Sequence, residues 1–151
     1  RKAAEEAVRV GQARLQAAAE LAGLGFYEAD YGERTAFFDA GLRDLLSVPP
    51  ELNDLQLVEF YLKGVHPEDR ERFFDLAAQL EAGRVERAAI EFRFNHPSRG
   101  VRWLHHVARV EGRHADGHTL RSFGAIRDIT ERQQREEALR QSLAEIEEQR
   151  T

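Results

Sequence analysis

Gly124-Ala125-Ile126-Arg127-Asp128-Ile129-Thr130-Glu131-Arg132 is the stretch on which the reading of this chain turns. It closes an extended segment, residues 120–129, and opens a helix rich in Glu, Gln and Arg. Thr130 stands where it could cap that helix, with Glu131 and Arg132 in the first turn. Upstream, Pro97-Ser98-Arg99-Gly100 and Ala115-Asp116-Gly117 are turn sequences. They divide residues 87–129 into three β segments, 87–95, 101–110 and 120–129, joined as hairpins.

Further back, residues 26–31 and 35–38 read as two short strands around a turn at Gly32. A short helix follows from Gly41 to Val48, stopped by Pro49-Pro50, and another spans Leu55 to Leu62. His66-Pro67-Glu68-Asp69 opens a third helix, since proline suits a first turn and acids suit the positive end of the dipole. Phe73, Phe74, Ala77 and Leu80 form its apolar face, and Gly83 ends it. Two strands, short helices and three strands in that order predict an antiparallel α+β domain with helices on one sheet face.

The ends have a different texture. Residues 1–22 carry Val8, Gly11, Leu15, Ala18 and Ala22 at alternating spacings of three and four. Such a seam serves either a coiled coil or an amphipathic helix lying on its own domain. Residues 131–151 carry Leu139, Leu143 and Ile146, a stripe too thin to fold as a lone helix. It either finds a partner helix or remains a solvated tail. The domain limits read from the sequence are 1–22, 23–130 and 131–151.

Bulk composition excludes several classes. The 151 residues suit one domain, and the net charge of −5 offers no basic field for nucleic acid. With no cysteine there is no disulfide, thiolate metal site or thiol nucleophile. No apolar run approaches the ~18 residues that a membrane span needs. The absence of methionine suggests a piece of a longer polypeptide. A cytoplasmic location is expected, either free or as the cytoplasmic part of a membrane-anchored sensor.

No phosphate-binding glycine loop or serine nucleophile elbow is present. Adjacent strand residues His105 and His106 point to opposite faces and cannot grip one metal together. His114 and His118 flank a hairpin turn that reads as solvated, so no metal site is assigned. The final helix has no histidine and is not a kinase phosphoacceptor helix. No catalytic residue is assigned, and any enzyme activity would lie outside these residues.

Three segments carry a family resemblance. Asp128-Ile129-Thr130-Glu131-Arg132 resembles the end of the PAS core, where an Asp-Ile-Thr motif hands the last strand to an output helix. Val101-Arg102-Trp103-Leu104 resembles the entry of the preceding strand, and Val65-His66-Pro67-Glu68-Asp69-Arg70 a helix start of one large PAS subgroup. The match as a whole covers residues 21–140. The resemblance implies a PAS fold, with a five-stranded antiparallel sheet in the order 2-1-5-4-3 and helices closing a small cavity. Strand alternation combined with it gives Tyr27, Ala29, Phe92, Phe94, Leu104, His106, Ser122 and Ile126 as pocket candidates. The alternative is a packed core in which His106 meets a backbone partner.

In flavin-binding relatives, amide side chains on the last three strands hold the ring; the matching positions here are Phe94, Leu104 and Ile126. The helix from 68 to 83 lacks the histidine used by one type of haem-binding relative. The expectation is therefore no flavin and no haem, with either no ligand or a small apolar one. Arg102, Asp128, Ile129 and Thr130 are the candidate signal relay. The resemblance implies a sensor of bacterial two-component type, forming a homodimer through its terminal helices and passing a signal to an output domain. A dimerising connector that senses nothing is the alternative, and a stand-alone enzyme a remote one.

Overall fold

The computed structural model describes residues 1–150, and Thr151, the end of the expected C-terminal segment, lies outside the described residues. The elements run α1 (Lys2–Ala22), β1 (Leu24–Asp30), β2 (Thr35–Phe38), α2 (Ala40–Leu46) and α3 (Asp54–Gly64). A 3₁₀ turn (Pro67–Asp69) leads into α4 (Arg70–Glu81). Then follow β3 (Arg87–His96), β4 (Gly100–Arg113), β5 (Thr119–Asp128) and α5 (Thr130–Arg150). The five strands form one antiparallel sheet in the order β2-β1-β5-β4-β3. This is the α+β architecture that the segment order and the resemblance imply.

Local chemistry sets the boundaries. Asp39 caps α2 by accepting from the Leu42 amide at 2.8 Å, and the same oxygen accepts from the Phe26 amide at 3.0 Å. Asn53 and Gln56 form a reciprocal capping box that starts α3. The 100–113 strand runs three residues past its expected end, because Arg113 still pairs with Thr119 across the hairpin.

The His66-Pro67-Glu68-Asp69 segment is fastened to β3. Asp69, only 5% exposed, takes a forked pair of bonds from the Arg93 guanidinium at 3.1 and 2.8 Å. It also accepts from the Arg93 backbone amide at 2.7 Å. These bonds hold the Asp69 carboxyl below the usual carboxylate range, against the opposing effect of burial.

The core fills the space between the sheet and α2–α4. Leu42, Leu46, Leu57, Val65, Phe92, Phe94, Leu104 and Ile126 are all essentially inaccessible there. By contrast α1 buries only Ala19, while Val8, Leu15 and Leu21 are exposed. On α5, Leu139, Leu143 and Ile146 are 60%, 57% and 50% exposed, so each end helix presents its apolar stripe to solvent.

Candidate functional site

Two consecutive rungs of the sheet carry small residues at most of their positions, where other rungs carry bulky ones. Ala36 pairs with Ala29, which pairs with Ser122. In the next rung Tyr27 pairs with Gly124, Gly124 with Ala108, and Ala108 with Ala88. The rungs beyond bear Ile126, His106 and Ile90, then Leu104 and Phe92. Side chains this short cannot reach the helices above, so a cavity of about 330 Å³ remains. Ala29, Ala36, Ala88 and Ala108 line it from the sheet; Val58 and Tyr61 of α3 and Phe73, Phe74, Ala77, Ala78 and Leu80 of α4 line it from the helices. Its charged lining residues are Asp30, Arg34 and Glu81, with Arg34 3.9 Å from Glu81.

One polar array stands in this apolar wall. The Tyr27 hydroxyl lies 2.7 Å from Nε2 of His106, and the Tyr61 hydroxyl lies 2.9 Å from Nδ1 of the same ring. Gly124 makes this possible. A Cβ there would sit 1.8 Å from the Tyr27 ring, so only glycine lets the tyrosine lie across β5 and reach β4. Beside the array, the Tyr31 and Ser122 hydroxyls are 3.0 Å apart.

Burial sets the protonation states. Desolvation pushes the His106 imidazole down to about 4, with His105 adding a smaller effect of the same sign. Near neutral pH the ring therefore carries one N–H donor and one lone pair. Burial likewise pushes both phenols up, so Tyr27 and Tyr61 stay protonated. His106 and Tyr27 keep some accessible surface because they face the cavity.

Of the eight pocket candidates, Tyr27, Ala29 and His106 line the cavity. Phe92, Phe94, Leu104, Ser122 and Ile126 do not, and this corrects the sequence reading. All five lie on the helix-facing side but are sealed in the core. Phe92 packs 4.8 Å from Phe73, and Phe94 stacks on Tyr61 at 6.0 Å. Ser122 is fully buried beside Tyr31. The void lies nearer the Ala29 end of the sheet. His106 meets two tyrosines and not a backbone partner. Tyr61, Phe73, Ala36, Ala88 and Ala108 line the cavity without being among the sequence candidates. A tyrosine within the apolar helix 55–62 was the available signal, since a buried phenol needs a partner.

The four relay candidates meet at the junction of β5 and α5. Asp128 accepts from Arg102 Nε at 2.8 Å and from the Thr130 amide at 2.8 Å. The Ile129 amide donates to the Trp103 carbonyl at 2.8 Å. Thr130 does not cap the helix with its side chain as expected; its Oγ1 accepts from the Trp103 amide at 2.9 Å. The cause is proximity, because the paired strand β4 offers an amide just where the helix begins. Arg132 and Gln133, in the first turn of α5, then bond Glu91 of β3 at 2.6 and 3.1 Å. Burial alone would raise the Asp128 carboxyl, but the bonds from Thr130 and Arg102 leave it lowered.

An antiparallel sheet roofed by helices, with a cavity between the layers and a helix leaving its last strand, defines a cavity-bearing α+β domain. A family model described as the PAS fold matches residues 36–126, and the chain belongs to that family. Solved structures agree. A sensory box histidine kinase/response regulator from Burkholderia thailandensis aligns with a TM-score of 0.73 and 23% identity, over 89% of this chain and 98% of that one. A domain of a histidine kinase from Haloarcula marismortui, described as light and redox sensing, aligns at 0.61 with 26% identity, over 78% and 98%. The N-terminal domain of a diguanylate cyclase with PAS/PAC sensor from Marinobacter aquaeolei aligns at 0.60 with 19% identity, over 73% and 98%. No curated protein matches the chain. No helix among the described residues is long and apolar enough to cross a membrane.

Proposed function

We propose that this PAS domain is a non-catalytic sensor that takes a small, mostly apolar molecule into its cavity and passes occupancy to α5. The observation that carries the proposal is the cavity of about 330 Å³, apolar except where the Tyr27–His106–Tyr61 array faces it. That combination of apolar walls and few convergent polar groups is how small-molecule sites are built. Kinase and cyclase sensors among the similar structures support a signalling role. His106, Leu104 and Arg102 follow one another on one face of β4, and Arg102 bonds the strand end from which α5 departs. Exposed stripes on α1 and α5 support pairing of the end helices in a dimer, with the signal going to an output domain beyond this chain. They also suit a connector that pairs without sensing.

Native mass spectrometry and thermal shift against a library of small apolar compounds test the proposal. Binding should raise the melting temperature by mass action. Ala108→Leu, which places a larger side chain in the cavity, should abolish the ligand shift while preserving the fold. If no compound shifts the wild-type domain, the sensing reading fails and the connector reading stands.

A further inference from the structure

The Tyr27–His106–Tyr61 array holds one more hydrogen-bond proton than its own contacts use. Two hydroxyls and one neutral imidazole contribute three hydrogen-bond protons, yet only two oxygen–nitrogen contacts join them. One nitrogen donates and the other accepts. The tyrosine that accepts from the ring N–H is thus left with its own O–H proton to place elsewhere. If Nε2 carries the proton, that tyrosine is Tyr27, and the Ser122 hydroxyl beside it can accept. If Nδ1 carries it, that tyrosine is Tyr61. Its hydroxyl bonds His106, and the residue lines the cavity. A buried hydroxyl with an unplaced proton favours any ligand that brings an acceptor.

Charge narrows the class further. Asp30, Glu81 and Arg34 are the charged groups of the lining, and Arg34 already faces Glu81. Asp30 in turn faces Arg121 at 3.7 Å, so each charge of the lining has a partner and no unpaired cation stands beside the array. Burying a carboxylate there without a partner is costly. Resting on the sensing proposal above, we infer that the cavity selects an uncharged apolar molecule with one strong acceptor, such as a ketone carbonyl, received by the Tyr61 hydroxyl.

The test uses tetralin, 1-tetralone and 1-naphthoate, which share a fused bicyclic body and differ at the polar group. Affinities would be measured by calorimetry on wild type and Tyr61→Phe. The ratio of tetralone to tetralin affinity should fall about tenfold in the variant, the worth of one hydrogen bond. In wild type, ¹⁵N shifts of His106 should report the Nδ1–H tautomer when tetralone is bound, a readout that needs no variant. Tetralone bound to the Nε2–H form, an unchanged affinity ratio, or naphthoate binding as tightly as tetralone would each overturn the inference while leaving a ligand cavity in place. Failure of all three probes to bind would overturn the inference, whereas the sensing reading falls only if the wider compound library also fails to shift the domain.

Discussion

Asp128 bridges strand and helix: one carboxylate oxygen accepts from Arg102 Nε at 2.8 Å, and the other accepts from the Thr130 amide at 2.8 Å. The two side chains are only 18% and 21% exposed, so water screens the pair less than a surface bridge. The single variants Asp128→Ala and Arg102→Ala should each lower stability by about 1.5–3 kcal/mol, the range for hydrogen bonds to charged groups. Their double-mutant cycle should show coupling, and hydrogen exchange in the first turn of α5 should rise in both. Strict additivity would show that the contact does not join β4 to the helix. In the full-length protein Asp128→Arg should disturb output, with partial recovery when Arg102→Asp is added.

Gly124 leaves no room for a methyl group under the Tyr27 ring. The added Cβ of Gly124→Ala would lie 1.8 Å from Cε2 of Tyr27, forcing the ring away from His106. The expected cost is about 1–3 kcal/mol by overpacking. NMR titration should also find the His106 pKa moved up, because a displaced Tyr27 admits water. A variant as stable as wild type with an unmoved His106 would contradict the packing described.

Acid should weaken the fold through His106. Its folded pKa is about 4 against an ordinary 6.5, so between these values the unfolded chain binds a proton that the folded chain refuses. Stability is therefore full above pH 6.5 and falls as pH drops to 4, at about 1.4 kcal/mol per unit at most. His96, also lowered chiefly by burial, acts in the same direction. Below that window Asp69 and Asp128, whose pKa values are lowered, lose their contribution as they protonate. Urea midpoints at pH 7 and pH 5 should differ by less in His106→Gln, which keeps polar contacts without titrating; equal differences would rule His106 out as the cause.

Association should depend on the end helices. Leu139 and Leu143 on α5 are more than half exposed, and burying each fully could contribute about 1.5–3 kcal/mol. Sedimentation of wild type should show a dimer, and Leu139→Asp with Leu143→Asp should shift it towards monomer. A wild-type chain that stays monomeric at high concentration would remove the dimer from the proposal.

The purified domain should be colourless. Phe94, Leu104 and Ile126, where flavin-holding amides would stand, are apolar and sealed, and α4 contains no histidine for haem iron. An absorption spectrum with a stoichiometric flavin or Soret band would refute this.

The order of elements was written in local chemistry. Turn residues at 97–100 and 115–117, the Pro49-Pro50 stop and the Pro67 helix start act on their own neighbours, and strand alternation placed Tyr27, Phe92, Leu104 and His106 on one face. Arg102 and Asp128 were also legible, because antiparallel hairpin pairing brings the start of one strand beside the end of the next. The cavity's position was decided only by tertiary structure. Ala29, Ala36, Ala88 and Ala108 are scattered over four strands, and only register gathers them into adjoining rungs. Tyr61 likewise reaches His106 across 45 residues through the seating of α3, and Tyr27 reaches it across 79 because Gly124 leaves the way clear. Small side chains signal nothing one at a time; a void is a property of their sum, which exists only once the chain has folded.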